Sequence, residues 1–368
     1  MPEDRPRRPR GDDDRLPQNP SSSSRLLAFS TALVCVWVFC VLALFEGAIA
    51  LTLKHPDVLR HAPPKLLEAF RSVNGRFYRS VVQAEAEFML YDPELGYTLK
   101  PTAAFTHANS EYVTRYRTNR LGLRDSDEAL RGPEVVVLGD SFAMGWGVAQ
   151  DRTFPKTLER LSGLRTLNAG VSSYGTVREL KLLDRIDTSA MKYLVIQYCD
   201  NDYEENGRFY LAGNNLIVSS PERYQHERDV YERARRYFFG KYLVALFRPG
   251  LIAERDDVAD QAAPGHVSES PAGLFLNALL HAGRKNLQNV RILLFELRAF
   301  ARNSPDFIES VQRERKDPRY PQEVREITLL SFHTLLGRNH YYVLDDHLTP
   351  SGHDVVARAL TNRIRDLH

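Results

Sequence analysis

The sequence is poor in cysteine and in net charge, and it contains no internal repeat. Only three of its 368 residues are cysteines, which is too few for a disulfide framework. Forty-nine lysine and arginine residues nearly balance 47 aspartate and glutamate residues, so the net charge is only +2. A chain with so little charge has no strong overall field to attract nucleic acid, and we expect no nucleic-acid partner.

The first 25 residues have almost no apolar side chains to bury. They contain five prolines, six arginines, five acidic residues and a run of four serines. Segments of low hydrophobicity and high charge do not bury enough apolar surface to offset the entropy lost on folding. We therefore predict a disordered tail over residues 1–25.

A long apolar run follows the tail. Residues 26–45 read LLAFSTALVCVWVFCVLALF, and none of these 20 residues is charged. A helix of this length, at 1.5 Å per residue, spans the roughly 30 Å hydrocarbon core of a bilayer. We predict a transmembrane signal anchor over residues 26–53. The basic residues are more numerous before the run than just after it, which places the tail in the cytoplasm.

A cleaved signal peptide is the alternative to an anchor, because Ala48-Ile49-Ala50 resembles a cleavage site. The hydrophobic regions of signal peptides usually have only about 7–15 residues, which favours the anchor. Either interpretation delivers residues 54–368 to the periplasmic or other extracytoplasmic side of the membrane.

Strands alternate with helices from residue 134 to residue 368, which indicates a parallel α/β sheet. Two segments precede this region: residues 54–90 have a helical periodicity and are predicted to form a stalk, and residues 91–133 form an N-terminal extension with short strand-like pieces. The predicted strands are Val135–Leu138, Arg165–Ala169, Tyr193–Tyr198, Arg291–Leu297 and Tyr341–Leu344, and the predicted helices are Thr153–Leu161, Val177–Ile186, Val324–Leu336 and one that begins after Thr349.

An insertion over residues 203–289 separates the third and fourth predicted strands, and it is too long for an ordinary connection. Its segment 238–251 is aromatic and apolar with two basic residues. This pattern fits extra helices packed on the sheet, a lid over a pocket or a helix in contact with the membrane, and the first is favoured. A flexible linker is predicted over residues 254–271.

Polar residues cluster at the ends of four predicted strands. Because ligands of open parallel sheets bind beyond the carboxyl ends of the strands, these clusters predict a site at one edge of the sheet. The clusters are Gly139-Asp140-Ser141-Phe142, Asn168-Ala169-Gly170-Val171, Cys199-Asp200-Asn201-Asp202 and Asp345-Asp346-His347.

The clusters supply the groups that nucleophilic catalysis needs. A serine hydroxyl becomes a good nucleophile when a neighbouring base removes its proton. A histidine is the best such base when a carboxylate fixes its tautomer. Negative charge that develops on an attacked carbonyl is stabilised by backbone N–H groups or amide side chains.

The four clusters, in this order, resemble the sequence blocks of the SGNH or GDSL hydrolases. G-D-S-F at 139–142 is similar to the nucleophile block, Gly170 to the glycine block, N-D at 201–202 to the asparagine block, and D-D-H-L-T-P-S-G-H at 345–353 to the closing block. L-G-Y-x-L-K-P at 95–101, T-N-R-L-G-L-R-D at 118–125 and G-W-G-V at 145–148 resemble bacterial membrane-anchored members. The resemblance covers about residues 90–365 without most of the insertion. It implies a three-layer α/β/α fold with a flavodoxin-like five-stranded parallel sheet.

The resemblance also implies a role for each residue. Ser141 would be the nucleophile, His347 its base, and Asp345 the acid that orients His347. The backbone N–H groups of Ser141 and Gly170 and the side chain of Asn201 would form the oxyanion hole. No metal or organic cofactor is implied.

Two positions depart from the family pattern. Asp-x-x-His, the usual spacing, is shortened to Asp345-Asp346-His347, so Asp346 is the alternative acid. Cys199 stands where the asparagine block usually begins with glycine, and it is interpreted as a small buried residue.

The same residues are also compatible with other roles. Ser141 could simply cap a helix. Asp345, Asp346, His347 and His353 could hold a divalent metal, but the serine, glycine and asparagine blocks would then have no role. Three arginines at 117, 120 and 124 could bind an anionic substrate, although a solvated edge is the favoured interpretation.

Taken together, the sequence favours a membrane-anchored serine esterase that acts on O-acyl groups, such as acetyl esters, of an envelope glycan or lipid. One alternative is an O-acyltransferase that uses the same serine. Another is a non-catalytic, membrane-tethered binding or assembly protein that retains the fold. An α/β-hydrolase is disfavoured, because its nucleophile normally comes late in the sheet and its acid well before its histidine.

Overall fold

The computed structural model describes residues 22–77, 85, 87–247, 267–283 and 287–367. Most of the predicted tail (1–25) and of the predicted linker (254–271) lies outside these described residues. The α-helices are α1 (Ser22–Lys54), α2 (Pro64–Phe77), α3 (Ser141–Met144), α4 (Phe154–Ser162), α5 (Thr176–Leu183), α6 (Asp202–Leu211), α7 (Pro221–Arg235), α8 (Lys241–Phe247), α9 (Pro271–His281), α10 (Asp306–Glu314), α11 (Gln322–Arg325) and α12 (Pro350–Asp366). The strands are β1 (Met89–Asp92), β2 (Gly96–Leu99), β3 (Ala104–Ala108), β4 (Val113–Arg117), β5 (Val135–Leu138), β6 (Thr166–Asn168), β7 (Tyr193–Tyr198), β8 (Arg291–Glu296) and β9 (Thr328–Leu330).

Five strands form one parallel sheet in the order β6-β5-β7-β8-β9. Numbered along the chain within the sheet, this is the 2-1-3-4-5 order of flavodoxin-like folds. In such sheets the crevice that binds ligands opens where the strand order reverses, between the first and third strands. The predicted parallel five-stranded sheet is confirmed, and it places the crevice between the carboxyl ends of β5 and β7.

Helices cover both faces of this sheet, which confirms the predicted three layers. Successive residues of a strand face opposite sides, and all four residues of β5 are fully buried. Val136 and Leu138 belong to a core cluster that includes α5, α6, α9 and α10. Val135 and Val137 belong to a second cluster that includes α4 and α12.

The fifth strand is not the one that the sequence predicted. Residues 341–344 (YYVL) form no strand, and β9 instead lies inside the predicted helix Val324–Leu336, where Leu293–Phe295 pair with Thr328–Leu330. A short apolar run fits a strand as well as a buried helix, so periodicity did not separate them. The backbone N–H groups of Val343 and Leu344 donate to the Glu111 carboxylate instead of to a neighbouring strand.

The N-terminal helix α1 is exposed over most of its length. Its part Arg25–Lys54 is 30 residues long, and the most apolar window has a mean hydropathy of 2.5 with no buried residue. This helix is therefore long and apolar enough to cross a membrane. Its last turns behave differently, since Ile49 and Leu53 are buried in a cluster with α2 and α8.

Residues of the predicted stalk lie against the α/β part of the chain. Arg71 Nε, on α2, donates to the carbonyl oxygen of Val343 at 2.8 Å, and Asn74 Nδ2 donates to that of Leu344 at 3.3 Å. The segment that leads to Asp345 is thereby held from one side by α2. Residues 89–117 form the two antiparallel hairpins β1–β2 and β3–β4, so the first hairpin begins two residues before the predicted extension 91–133. The turn of the second hairpin contacts the same segment through Glu111.

Candidate active site

Ser141 lies at the sharp turn between β5 and α3. Asp140 occupies the N-cap of α3, and its carboxylate accepts the Phe142 N–H at 2.9 Å. Gly139 is packed so closely that a Cβ there would come within 2.6 Å of Gln197 Oε1, while Gln197 Oε1 accepts the Asp140 N–H. The turn therefore fixes the serine at the carboxyl end of β5, beside the crevice.

Three of the predicted site residues form a continuous hydrogen-bonded chain. Ser141 Oγ lies 2.6 Å from His347 Nε2, and His347 Nδ1 lies 2.6 Å from Asp345 Oδ1. The backbone N–H of His347 also donates to Asp345 Oδ1 at 3.1 Å. This is the arrangement in which a histidine takes the proton of a serine while a carboxylate holds the imidazole in the correct tautomer.

Asp345 is held by side chains that the sequence analysis did not single out. Its Oδ2 atom accepts hydrogen bonds from Asn109 Nδ2 and Tyr112 OH, both at 3.1 Å, and from Trp146 Nε1 at 3.2 Å. The indole of Trp146 also stacks on the His347 ring, with centroids 4.9 Å apart and planes at 16°. The G-W-G-V block carried a signal for Trp146, whereas nothing in the N-S-E-Y turn pointed to Asn109 and Tyr112.

Glu111 shapes the same segment from the β3–β4 turn. Its carboxylate accepts the backbone N–H groups of Val343, Leu344 and Asp345 at 2.6, 2.9 and 2.7 Å. Burial raises the pKa of Glu111, although these three donors oppose the rise. Because it binds three consecutive N–H groups, the Glu111 carboxylate fixes the backbone that leads to Asp345 and His347.

Asp346 is the second carboxylate beside the histidine. Its Oδ1 atom lies 3.0 Å from His347 Nδ1, and its side chain is 19% exposed against 2% for Asp345. Asp346 lines the cavity, whereas Asp345 lies behind His347 among its three side-chain donors. The geometry therefore favours Asp345 over Asp346 as the carboxylate that orients His347. The Asp346 carboxylate lines the cavity instead.

The two carboxylates set the protonation of His347. Burial lowers the pKa of this imidazole, but the negative charges of Asp346 and Asp345 outweigh burial and raise the pKa to about 9. A general base has to be neutral before it accepts a proton. His347 is therefore mostly protonated at neutral pH in the empty site, and its neutral fraction grows as the pH rises.

We expect kcat/KM for a short neutral ester to rise about tenfold per pH unit below pH 9 and to level off above it. Asp346→Asn removes the largest of the charges that raise this pKa, so its profile should level off at a lower pH. Asp354→Asn, which removes an exposed carboxylate that pairs with Arg358 on α12, is the matched control and should leave the profile unchanged. A profile that is flat from pH 6 to pH 9 would contradict the raised pKa.

The predicted oxyanion donors are only partly brought together. Ser141 and Asn201 both line the cavity. The Ser141 N–H makes no hydrogen bond to the residues that the structure describes, and Asn201 Nδ2 makes only a long one, 3.5 Å, to the Tyr174 carbonyl oxygen. Gly170 does not line the cavity, and its N–H donates to Asn168 Oδ1 at 3.0 Å.

Gly170 has a packing reason to be glycine. A Cβ there would overlap the backbone of α3 at Met144 N and Ala143 C. The glycine block thus lets β6 and its turn approach the helix that carries the nucleophile. Ser173, which has a φ of 58° and lines the cavity, is the residue of this turn that reaches the site.

Cys199 is a buried packing residue, as the sequence suggested. Its side chain is buried, its Sγ lies 3.2 Å from Asp200 Oδ1, and burial raises the pKa of the Cys199 thiol. Reactive cysteines have lowered thiol pKa values. The Cys199 thiol is therefore a packing group and not an activated nucleophile.

The cavity beside Ser141 has a volume of about 500 Å³. Its far wall comes from the insertion, through residues 216–219, Tyr224 and Glu227. The segment that the sequence offered as a lid, 238–251, is described only to residue 247, and this described part lies away from the cavity against α1 and α2. The other lining residues are Leu95, Gly96, Tyr97, Asp140, Phe142, Ser173, Arg178, Cys199, Asp200, Asn201, Glu204, Glu205, Arg208, Phe209, Ala299, Asp346 and His347.

Arg124 corrects an expectation about the three arginines of the extension. Arg117 and Arg120 are exposed, in line with the solvated edge that the sequence favoured. Arg124 is fully buried, and its guanidinium lies 3.6 Å above the Tyr116 ring. Its donors bind the carbonyl oxygens of Met144, Gly145 and Val148. The side chain therefore supports the nucleophile turn from below.

A divalent cation at the closing block would compete with the triad. Ligand atoms of Asp345, Asp346 and His347 lie within 4.8 Å of one another. His347, however, already uses Nδ1 on Asp345 and Nε2 on Ser141. His353 Nδ1 accepts the Phe154 N–H at 3.1 Å, and burial lowers the pKa of His353 to about 3, so this residue has a structural role.

Comparison with known proteins finds similar solved structures at low sequence identity. No family model and no curated protein sequence matches the chain. Similar solved structures include a lipolytic protein of the G-D-S-L family from Desulfitobacterium hafniense, at 12% identity over 62% of this chain and 97% of that chain with a TM-score of 0.33. They also include a member of that family from Veillonella parvula, at 11% identity over 62% and 96% with a TM-score of 0.32. A catalytic mutant of an acetylxylan esterase from Geobacillus stearothermophilus is similar at 14% identity over 63% and 93% with a TM-score of 0.30.

At these identities and TM-scores, support for an activity has to come from the site itself. The aligned region covers almost the whole length of each of these three structures, whereas about a third of this chain has no counterpart in them.

Proposed function

We propose that this chain is a membrane-anchored serine esterase that removes O-acyl groups, such as acetyl esters, from an envelope glycan or lipid. The observation that carries the proposal is the unbroken hydrogen-bonded chain Ser141–His347–Asp345, with 2.6 Å at each side-chain step. A serine that only capped a helix would need no such pair behind it. In α3 the capping carboxylate belongs to Asp140, so the Ser141 hydroxyl is not used for that purpose.

In the proposed reaction, each group has one role. His347 Nε2 takes the proton of Ser141 Oγ as the oxygen attacks the acyl carbonyl carbon. The ester C–O bond then breaks, and His347 returns its proton to the leaving alkoxide. Water enters next, loses a proton to His347, and attacks the acyl-serine, which releases the carboxylic acid and restores Ser141.

In the proposed reaction, the oxyanion is stabilised by groups that follow two neighbouring strands. The Ser141 N–H comes after β5 and the Asn201 amide after β7, and both residues line the same cavity. Removing one such donor from a hydrolase typically costs about 10²–10³ in kcat. The Gly170 N–H would join them only after leaving Asn168.

The cavity is better suited to a polar ester than to a long acyl chain. Arg208, Glu204 and Glu227 line it together with the aromatic rings of Tyr97 and Tyr224. Carbohydrates present hydroxyl groups to charged side chains and apolar ring faces to aromatic residues, and a lining of this kind supplies both. We therefore place the acylated glycan ahead of the lipid as substrate.

Anchoring is proposed on α1. Its exposed apolar surface, its length and the absence of buried residues in its most apolar window fit a membrane span. The helix runs through Ala48–Ala50 without a break, and Ile49 and Leu53 pack with α2 and α8. A retained anchor keeps these contacts, whereas cleavage after Ala50 would remove part of them. We place the catalytic part on the periplasmic side.

Fluorophosphonate labelling of the full-length chain in detergent tests the proposal. These reagents modify an activated serine. We expect the wild-type chain to label, Ser141→Ala not to label, and Ser219→Ala, a second serine of the same cavity, to label like the wild type. Labelling of a folded Ser141→Ala variant, or none in the folded wild type, would contradict the proposal. Release of free acid from an acylated glycan then separates hydrolysis from transfer to another hydroxyl.

A further inference from the structure

A strip of exposed aromatic side chains lies outside the catalytic site, where the insertion passes from α7 to α8. Tyr237, Phe238 and Phe239 are 59%, 51% and 48% exposed, and Phe247 at the end of α8 is 69% exposed. Soluble surfaces scatter single apolar residues but rarely expose them as a contiguous patch without a binding partner. The strip therefore indicates a binding surface for a partner molecule or a membrane.

The strip is fixed to the N-terminal helix by two kinds of contact. The Phe239 ring stacks on Phe39, with centroids 4.9 Å apart and planes at 28°. The Glu46 carboxylate accepts the backbone N–H groups of Tyr242 and Leu243 at 3.1 and 3.0 Å. Segment 237–247 and α1 thus share one surface, and Glu46, directly after the apolar run, is buried between them.

The contact with Phe39 sets the depth of the strip. Phe39 lies six residues before Phe45, where the apolar run ends. At 1.5 Å per residue, the Phe239 ring is about 9 Å inside that end of the run. Interfacial helices bury their apolar faces by about 5–10 Å at the boundary between headgroups and acyl chains.

Basic residues lie where a headgroup layer would be. Arg233, Arg235 and Arg236 directly precede the aromatic residues and are exposed. Arg235 pairs with Glu85 at 2.5 Å. Exposed arginines next to an aromatic strip are the pattern of segments that bind anionic lipid headgroups.

We propose that segment 237–247 is a second membrane contact, whose aromatic strip enters a lipid bilayer at the boundary between headgroups and acyl chains. This inference rests on the proposed anchoring by α1, whose apolar surface it continues. The contact would hold the catalytic part against the bilayer instead of leaving it on a free stalk. A second copy of the chain is the other possible occupant of the strip.

Tryptophan fluorescence of the full-length chain in vesicles tests the contact. Wild type has two tryptophans, of which Trp37 lies in the apolar run and Trp146 is buried beside His347. Trp37→Phe gives the background from Trp146. Phe239→Trp and Phe247→Trp, each added to Trp37→Phe, probe the strip. Leu335→Trp in the same background, at a residue 50% exposed, is the matched control.

The vesicles contain phosphatidylcholine and phosphatidylglycerol, with or without brominated acyl chains, which quench nearby indoles. We expect the emission added by Phe239→Trp and Phe247→Trp to fall by more than about half, and that of Leu335→Trp by no more than about a tenth, because only the strip reaches acyl depth. Quenching of Trp37 without quenching of either strip probe would overturn the contact and leave the anchor intact. Unquenched strip probes that cross-link between copies, as cysteine variants, would assign the strip to a second chain. An unquenched Trp37 would overturn the anchoring, and the contact with it.

Discussion

Asp345→Asn is expected to lower kcat/KM for a short ester by about 10⁴-fold, whereas Asp346→Asn should change it by less than about tenfold at a pH where His347 is neutral. The two substitutions are the same change at adjacent residues, so each is the control for the other. The difference follows from what each carboxylate contacts.

Three donors decide how an asparagine at 345 would be oriented. Asn109, Tyr112 and Trp146 all donate to Asp345 Oδ2, so the amide oxygen of Asn would take that place. The amide NH₂ would then face His347 Nδ1. A neutral imidazole that accepts a hydrogen bond at Nδ1 carries its proton at Nε2, and it cannot remove the proton of Ser141.

No such constraint acts at position 346. Asp346 faces the cavity, and its carboxylate lies 3.0 Å from His347 Nδ1, a longer distance than that of Asp345. Steady-state kinetics on both variants, with the thermal unfolding midpoint measured to show that each is folded, decides between them. A larger loss in Asp346→Asn than in Asp345→Asn would make Asp346 the triad acid.

The sequence predicted most of the parallel sheet, in the region where strands alternate with helices. Val135–Leu138 is apolar throughout, and Tyr193–Tyr198 is apolar apart from Gln197, because both faces of these strands are covered. The polar clusters at their ends then followed from the geometry of parallel sheets. Ser141 and Asn201 belong to these clusters, whereas His347 follows a segment that forms no strand and was named from the closing block; the structure places all three at one cavity.

The sequence did not reveal residues whose role depends on contacts with residues far away in the chain. Tyr341–Leu344 has strand composition, but Glu111, more than 200 positions earlier in the chain, binds its N–H groups. Asn109 and Tyr112 reach Asp345 from a hairpin turn that looks like any exposed turn. Sequence patterns report local periodicity and composition, whereas these contacts are made by the tertiary fold alone.

The glycine block shows the same limit within a recognised motif. The resemblance implied that the Gly170 N–H belongs to the oxyanion hole, and Gly170 lies so close to α3 that a Cβ would overlap it. Whether its N–H points into the cavity depends on the Asn168 side chain, which accepts that N–H. The motif therefore predicts which residues lie close together, but it does not predict where a single backbone N–H group points.

Arg124→Met is expected to destabilise the folded chain by about 2–4 kcal/mol, which for a chain of 368 residues corresponds to a fall of roughly 3–5 °C in Tm. Burying a cation is itself costly, so its removal recovers part of that penalty. The carbonyl oxygens of Met144 and Val148 remain, however, and lose their donor inside the protein, whereas the Gly145 oxygen still accepts the Val148 N–H. Unsatisfied buried groups cost about 1–3 kcal/mol each, and two of them outweigh the recovered term.

The matched control for this variant is Arg117→Met, which makes the same change at an exposed arginine of the same hairpin and should leave Tm within about 1 °C. Arg124→Lys should fall between the two, because a single ammonium group cannot reach all three carbonyl oxygens in the geometry of the guanidinium fork. Thermal unfolding of the three full-length variants in the same detergent measures these differences. An Arg124→Met variant as stable as Arg117→Met would show that the buried guanidinium adds nothing net. Arg124 would then affect activity only through the position of the Ser141 turn.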